Sequence, residues 1–322
     1  MDFGNLLAQA WQIVWRHAVL FAVGVLLALK IFNGSAAFGI VPLFVYLTEM
    51  LDGGGEMDQV MPLLVATGLI VSLVWFCMWV LRIWGEGGLI YGVKQGAEEQ
   101  TVTFSGALMG GGAALGRLLG LYVVLFIPIF VLTLMVTGFI VGIVVASDVG
   151  WRSFSEPAVV LEAIPVGGMI MASVLIILAL PLGLAALLIL PFAQRGIVLE
   201  GLGVRDSIAH SVEILGIRLG ETILLFLLTW GLQIVFSWVS GIFMGPLTLI
   251  GVFGLIPIIE NQEMTLGSVG MAIISMGAVV FLAAVINSFI YTYRSAIFTL
   301  AYLEFVEGLE HDEDVFKPNM PY

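Results

Sequence analysis

PFAQRGIVLEGLGVRDSIAHSVEILGIRLGETILLF, residues Pro191–Phe226, carries the plan of the whole chain. An apolar run ends at Pro191-Phe192-Ala193. A polar turn follows, with Gln194, Arg195, Glu200 and Gly201. Val204–Gly216 then repeats apolar residues at helical spacing. Val204, Ile208, Val212, Leu215 and Leu219 fall on one face, and Asp206, His210 and Glu213 on the other. At Thr222 a second apolar run begins. The stretch therefore reads as the end of a membrane span, a turn, a surface helix and the start of the next span.

The same order of elements is expected twice more. Residues 2–16, DFGNLLAQAWQIVWR, place Phe3, Leu7, Ala10 and Val14 on one stripe, with Trp11 and Trp15 suited to the headgroup level. Phe104–Gly116 is the third such segment, with glycines at 110, 111 and 112. Shifting the chain by 100 lays Gly116, Leu119, Gly120, Leu125 and Phe126 on Gly216, Leu219, Gly220, Leu225 and Phe226. A shift of 101 lays Phe3, Leu7 and Arg16 on Phe104, Leu108 and Arg117. The expectation is three repeats, about 1–100, 101–200 and 201–305, each a cytoplasmic amphipathic helix plus two spans. Residues 1–305 then form one membrane domain and 306–322 an acidic cytoplasmic tail.

Composition fits an all-α integral membrane protein. Of 322 residues, 61% are hydrophobic and 11% charged, with mean hydropathy +1.13. Soluble domains carry about 25% charged residues. Several apolar runs exceed the ~20 residues that cross a ~30 Å hydrocarbon layer, and none alternates as barrel strands do. The six transmembrane helices are expected near His17–Phe32, Met61–Trp84, Arg117–Ala146, Gly167–Ala193, Thr222–Ser240 and Gly267–Tyr293. Two apolar stretches, Phe38–Leu51 and Gly245–Ile259, contain Pro and Gly and read as non-spanning, re-entrant segments. His17–Leu29 with Ser35-Ala36-Ala37 has the outline of a signal peptide, but the long helical leader before it favours a retained first span. The net charge of −12 argues against a nucleic-acid partner. The single Cys77 precludes an intramolecular disulfide or a cysteine metal site.

Orientation follows the basic residues. With both termini inside, the cytoplasmic side holds Arg16, Arg82, Lys94, Arg117, Arg195, Arg205, Arg218, Arg294 and Lys317, against Lys30 and Arg152 outside. This places the chain in a cytoplasmic (inner) membrane.

The run Pro191–Ser211 resembles a pattern found in poorly characterised prokaryotic membrane proteins. In these a span ends in Pro, an Ile-Val and a Glu-Gly follow, and a Ser-bearing helix precedes the next span. The opening F-x-x-x-L-x-x-A-W is similar too. The group includes the membrane domain fused to some glycerophosphodiester phosphodiesterases. These 322 residues hold no soluble phosphodiesterase domain, so the resemblance implies a fold and a lipid-adjacent setting, not that activity.

Charges in or beside apolar spans are the first functional candidates. Arg82 and Glu86, four apart, share a helix face, and with Arg294 are expected to form a cytoplasmic vestibule able to hold a phosphate-bearing headgroup. The plainer use is as interface anchors. Gln233 and Asn287 lie inside spans five and six and suit interhelical hydrogen bonds. Arg16, Arg117, Arg205 and Arg218 are expected to face anionic lipid. His311-Asp312-Glu313-Asp314 reads as solvated tail, and the glycines at 110–112 lack the Lys-Ser/Thr of a phosphate loop. They are expected to allow close approach of a helix or lipid. No catalytic constellation, metal site or cofactor motif is expected. The function expected is a lipid-interacting or scaffolding membrane component, with membrane lipids and a protein partner or second copy as its partners. The alternative is a small-solute transporter or channel, drawn from the two Pro/Gly-broken segments.

Overall fold

The computed structural model describes residues 2–28, 57–146, 166–261 and 266–316. Among them the chain is helical apart from short turns, with no strand. Helix α1 is Phe3–Arg16, α2 Val19–Ala28, α3 Met57–Ala97, α4 Phe104–Ala146 and α5 Val166–Arg195. A π-helical turn, Gly196–Glu200, extends α5; then come α6 Val204–Ile217, α7 Leu219–Asn261 and α8 Leu266–Phe316. Five helices contain stretches long and apolar enough to cross a membrane: Gly68–Ala97, Phe104–Met135, Ala179–Glu200, Leu219–Ile250 and Gly277–Gly308. There are six if the bent pair α1–α2 counts as one span. This is an all-helical, multi-pass membrane architecture.

The chain breaks between α1 and α2, close to the expected boundary at Arg16–His17. Asp2 caps α1 through Oδ1, accepting from Gly4 N and Asn5 N at 3.0 and 3.2 Å. At His17 the chain turns by 100° into α2. The buried row of α1 is Leu6, Ala10 and Val14, while Phe3 and Leu7 of the expected stripe are half-buried.

Two expected breaks are absent. Phe104–Gly116 is not a separate surface helix but the first part of the continuous α4. Gly245–Ile259 is not a separate segment but lies within the continuous α7, through Pro246 and Pro257. A proline removes one ladder bond, and a long apolar helix tolerates that because its other backbone groups have no better partner in lipid. The other expected broken segment, Phe38–Leu51, lies outside the described residues, as do Lys30, Arg152, Lys317 and the loop Ser147–Pro165.

The chain divides into two compact units, Met1–Leu115 with Arg218–Tyr322, and Gly116–Ile217. In the first, α2 packs between α3 and α8. Glycines of α3 form its contact row. Gly85 meets Leu26 and Leu27, Gly88 meets Val23, Gly92 meets Leu20, and Gly96 meets Ile13 and His17. Falling numbers against rising ones make α2 and α3 antiparallel. Gly111 of α4 lies against the backbone of Gly87 and Gly88, so a Cβ there would collide with main-chain atoms. Gly110 sits under the Tyr91 ring, and Trp84 Nε1 donates to Leu108 O at 2.7 Å beside them. The glycines at 110–112 thus serve a helix–helix crossing, the small-residue contact that lets backbones approach in membrane proteins.

The second unit is built from the later part of α4, α5, the π-turn and α6. Phe192, Ala193 and Ile197 are fully buried there.

Candidate functional site

Helix α8 carries a hydroxyl row, Ser288, Thr292, Ser295 and Thr299, at spacing 4, 3, 4, all buried. Ser288 Oγ donates to Phe21 O at 2.6 Å, and Thr292 Oγ1 to Leu20 O at 3.3 Å and to Ser288 O of its own helix at 2.8 Å. Gly24 makes room, since a Cβ there would meet both hydroxyls. Tyr293 OH donates to Leu7 O at 3.1 Å, tying α8 to α1 as well. The 4-3-4 spacing is visible in the sequence, but spacing alone does not mark a contact row. The α2 carbonyls it reaches are some 270 residues away, and no local signal marks them.

These contacts fix levels along the first unit. Leu20 meets Gly92 of α3 and accepts from Thr292 of α8, and both helices run antiparallel to α2. Residues 92 and 292 are therefore level, and so are Lys94 and Arg294. Glu86 lies about 12 Å and Arg82 about 18 Å from the Arg294 level, at 1.5 Å per residue. The Arg294 guanidinium stacks over the Phe298 ring at 5.6 Å, in the direction away from Glu86. The structure does not bring the three charges to one level as expected. Arg82 and Glu86 remain half-buried, a turn apart on one helix.

The intramembrane amides behave differently from each other. Asn287 Nδ2 donates to Ala283 O of its own helix at 2.8 Å. Gln233 lies on an exposed face of α7. The bond seen for Asn287 thus lies within its own helix, not between helices as expected.

Of the four arginines expected to face lipid, Arg16 and Arg205 are exposed. Arg117 is instead used inside the second unit. Its Nη1 donates to Gly201 O and to Leu202 O, the latter at 3.3 Å. Gly201, at φ 74, ends the π-turn in a conformation that suits glycine, leaving carbonyls that a guanidinium can collect. Arg218 pairs with Glu221 at 3.2 Å and lies over the Phe305 ring at 5.5 Å. A cation near a protein carbonyl, carboxylate or ring is held there rather than left for headgroups.

The second unit also holds a buried polar set that sequence reasoning missed. Gln194 Nε2 donates to Tyr122 OH at 2.8 Å, Ser207 Oγ to Ala193 O at 2.5 Å, Ser211 Oγ to Ser207 O at 2.7 Å, and Arg195 Nη1 to Pro191 O at 2.5 Å. The change from α to π winding disturbs the carbonyl ladder here, and side-chain donors take up the carbonyls. The buried face of α6 is consequently the Ser207–Ser211–Ile214 side, with Leu215 at its edge, while Val212 of the expected apolar face is exposed. Small serines let α6 approach α5, while Val212 and Ile217 turn outward.

No protein-family profile matches the chain, and no curated protein or solved structure is significantly similar to it.

Proposed function

We propose that the protein is a non-enzymatic component of a cytoplasmic membrane that works through its surfaces, holding lipid or a membrane partner. One observation carries this reading. Along the spans, large apolar side chains are exposed in continuous tracts, as at Leu69–Phe76 in α3, Phe126–Met135 in α4 and Trp230–Phe243 in α7, while the best-placed polar groups bond within the chain. Apolar tracts of this extent need a hydrocarbon or protein cover. The N-in, C-in orientation, the three repeats and the cytoplasmic tail belong to the same proposal, supported by the basic residues and by the resemblance around Pro191–Ser211. The transporter alternative is weaker because Gly245–Ile259 is unbroken helix within α7.

Native mass spectrometry of the detergent-purified protein tests the proposal. The expected result is bound lipid, or a defined partner or second copy, surviving delipidating detergent. A bare monomer that facilitates solute flux in proteoliposomes would replace this reading with the transport one.

A further inference from the structure

Helices α7 and α8 pack together in the first unit. Arg218 lies over Phe305, Phe226 meets Phe298 and Phe236 meets Phe289, so the two run antiparallel. The Phe226 and Phe298 rings, 5.1 Å apart, mark one flank of the pair. Residues four or seven apart on a helix share a face, at about 100° per residue. Counting forward from Phe226 and back from Phe298 therefore continues that flank. Steps of four bring Trp230 opposite Arg294. Steps of seven bring Gln233 opposite Tyr291, and steps of eleven bring Ser237 opposite Asn287.

This flank is polar and open. Trp230, Gln233 and Ser237 are exposed, while Asn287, Tyr291 and Arg294 are half-buried. Among the described residues Gln233, Ser237, Tyr291 and Arg294 make no hydrogen bond or ion pair. Asn287 uses only its Nδ2, on Ala283 O. In an apolar span such groups need partners, and the two helices do not supply them.

Their order along the flank matches one kind of molecule. Lys94, level with Arg294, stands one turn before the exposed turn Glu98–Gln100, so Arg294 is at the polar end. Its guanidinium leans over Phe298, further toward that end. Gln233 and Tyr291 lie three residues inward, about 4.5 Å at 1.5 Å per residue. Beyond them Ile234 and Trp238 are exposed and apolar. A glycerophospholipid presents the same sequence: a phosphate, ester carbonyls a few ångströms deeper, then acyl chains. We propose that this α7–α8 flank binds one glycerophospholipid. Arg294 holds its phosphate, Gln233 Nε2 and Tyr291 OH donate to its ester carbonyls, and an acyl chain lies along Ile234 and Trp238. The flank opens sideways among exposed apolar side chains, so its ligand arrives through hydrocarbon rather than from water. A cation with no carboxylate beside it calls for an anion, which a second apolar helix does not bring. The site rests on the lipid-holding function proposed above, which the apolar tracts support independently of it.

The test uses the full chain in dodecyl maltoside, a detergent without phosphate. Brominated phosphatidylglycerol is titrated in, and the Trp230 share of the fluorescence is the difference between the parent chain and Trp230→Phe. Saturable quenching is expected. Arg294→Gln should weaken the affinity about tenfold, and Gln233→Leu about threefold. Gln233 is exposed and unbonded, so its replacement removes no packing, and it decides alone if Arg294→Gln does not fold. Glycerol 3-phosphate, which has the phosphate without acyl chains, should not compete. Unchanged affinity in the variants, with phosphatidylglycerol still retained in native mass spectrometry, overturns the site and leaves the lipid-holding function standing. Loss of all lipid from the parent chain overturns both. Competition by glycerol 3-phosphate overturns the lipid and makes the ligand a soluble phosphate ester.

Discussion

A methyl group at Gly111 would have to enter the backbone of Gly87 and Gly88. Main chain cannot swing aside as a side chain can, so the helices must separate. Overpacking of this kind costs about 1–3 kcal/mol. Gly116, five residues along the same helix, faces open space. There Gly→Ala should be neutral or stabilising by up to about 1 kcal/mol through helix propensity. Thermal unfolding in detergent should therefore fall for Gly111→Ala and hold or rise for Gly116→Ala; equal shifts would refute the crossing. The arginines divide in the same residue-specific way. Arg16→Gln with Arg205→Gln should reduce retained anionic lipid. Arg117→Gln should leave it unchanged but raise hydrogen exchange at Gly201–Gly203, whose carbonyl cap is removed. Lipid loss on changing Arg117 alone would restore its reading as a lipid ligand.

At the scale of the element, α2 is held by two forces of different size. Hydroxyl bonds between helices in lipid average about 0.6 kcal/mol each, because the separated state also finds partners. Ser288→Ala with Thr292→Val should thus cost only about 1 kcal/mol together. Gly24→Ala keeps both hydroxyls but inserts a Cβ against them, and should cost more than their loss does. A double-mutant unfolding series in detergent reads this order directly; the opposite ranking would make the hydrogen bonds, not the close approach, the main tie. The same balance explains what sequence reading could see. Helices were legible because apolar runs and helical periods are local. The break after Arg16 was legible too. The continuity of α4 was not, since a helix with an amphipathic first part and an apolar second part has one unbroken period. Close approach at the glycines 110–112 was legible from their size, but their partner α3 was not, since no local window contains it. The hydroxyl row of α8 was readable by spacing. The Tyr122–Gln194 bond, 72 residues apart, was not. The charge cluster expected at Arg82, Glu86 and Arg294 assumed that apolar runs end at one level; packing against α2 offsets them.

For the whole molecule, the decisive quantity is which face of the membrane each turn occupies. Nine basic residues against two favour termini on the cytoplasmic side. The rule acts on short basic segments near span ends during insertion, so it is independent of how the helices later pack. It would hold even where Arg117 and Arg218 are finally consumed by Gly201 and Glu221, because those bonds form after insertion. The turn between Ala97 and Phe104 and the turn between Glu200 and Val204 should then both be cytoplasmic, and Glu56 and Glu156 external. Single cysteines at Glu56 and Glu156, in a Cys77→Ala background, should react with an impermeant maleimide on intact cells. A cysteine at Glu98 should react only after lysis. The reverse pattern would invert the molecule and leave Arg16 and α1 on the outer leaflet. Labelling of Glu156→Cys without Glu56→Cys would instead mean that α3 fails to cross, whereas labelling of a cysteine at the exposed Asn5 on intact cells would mean that the chain before α3 fails to cross, giving five spans and an N-terminus opposite the C-terminus. Among the described helices the bent pair α1–α2 is the one place where the helix lengths leave five and six both open, so the Asn5 position, on the N-terminal side of that pair, carries the most information.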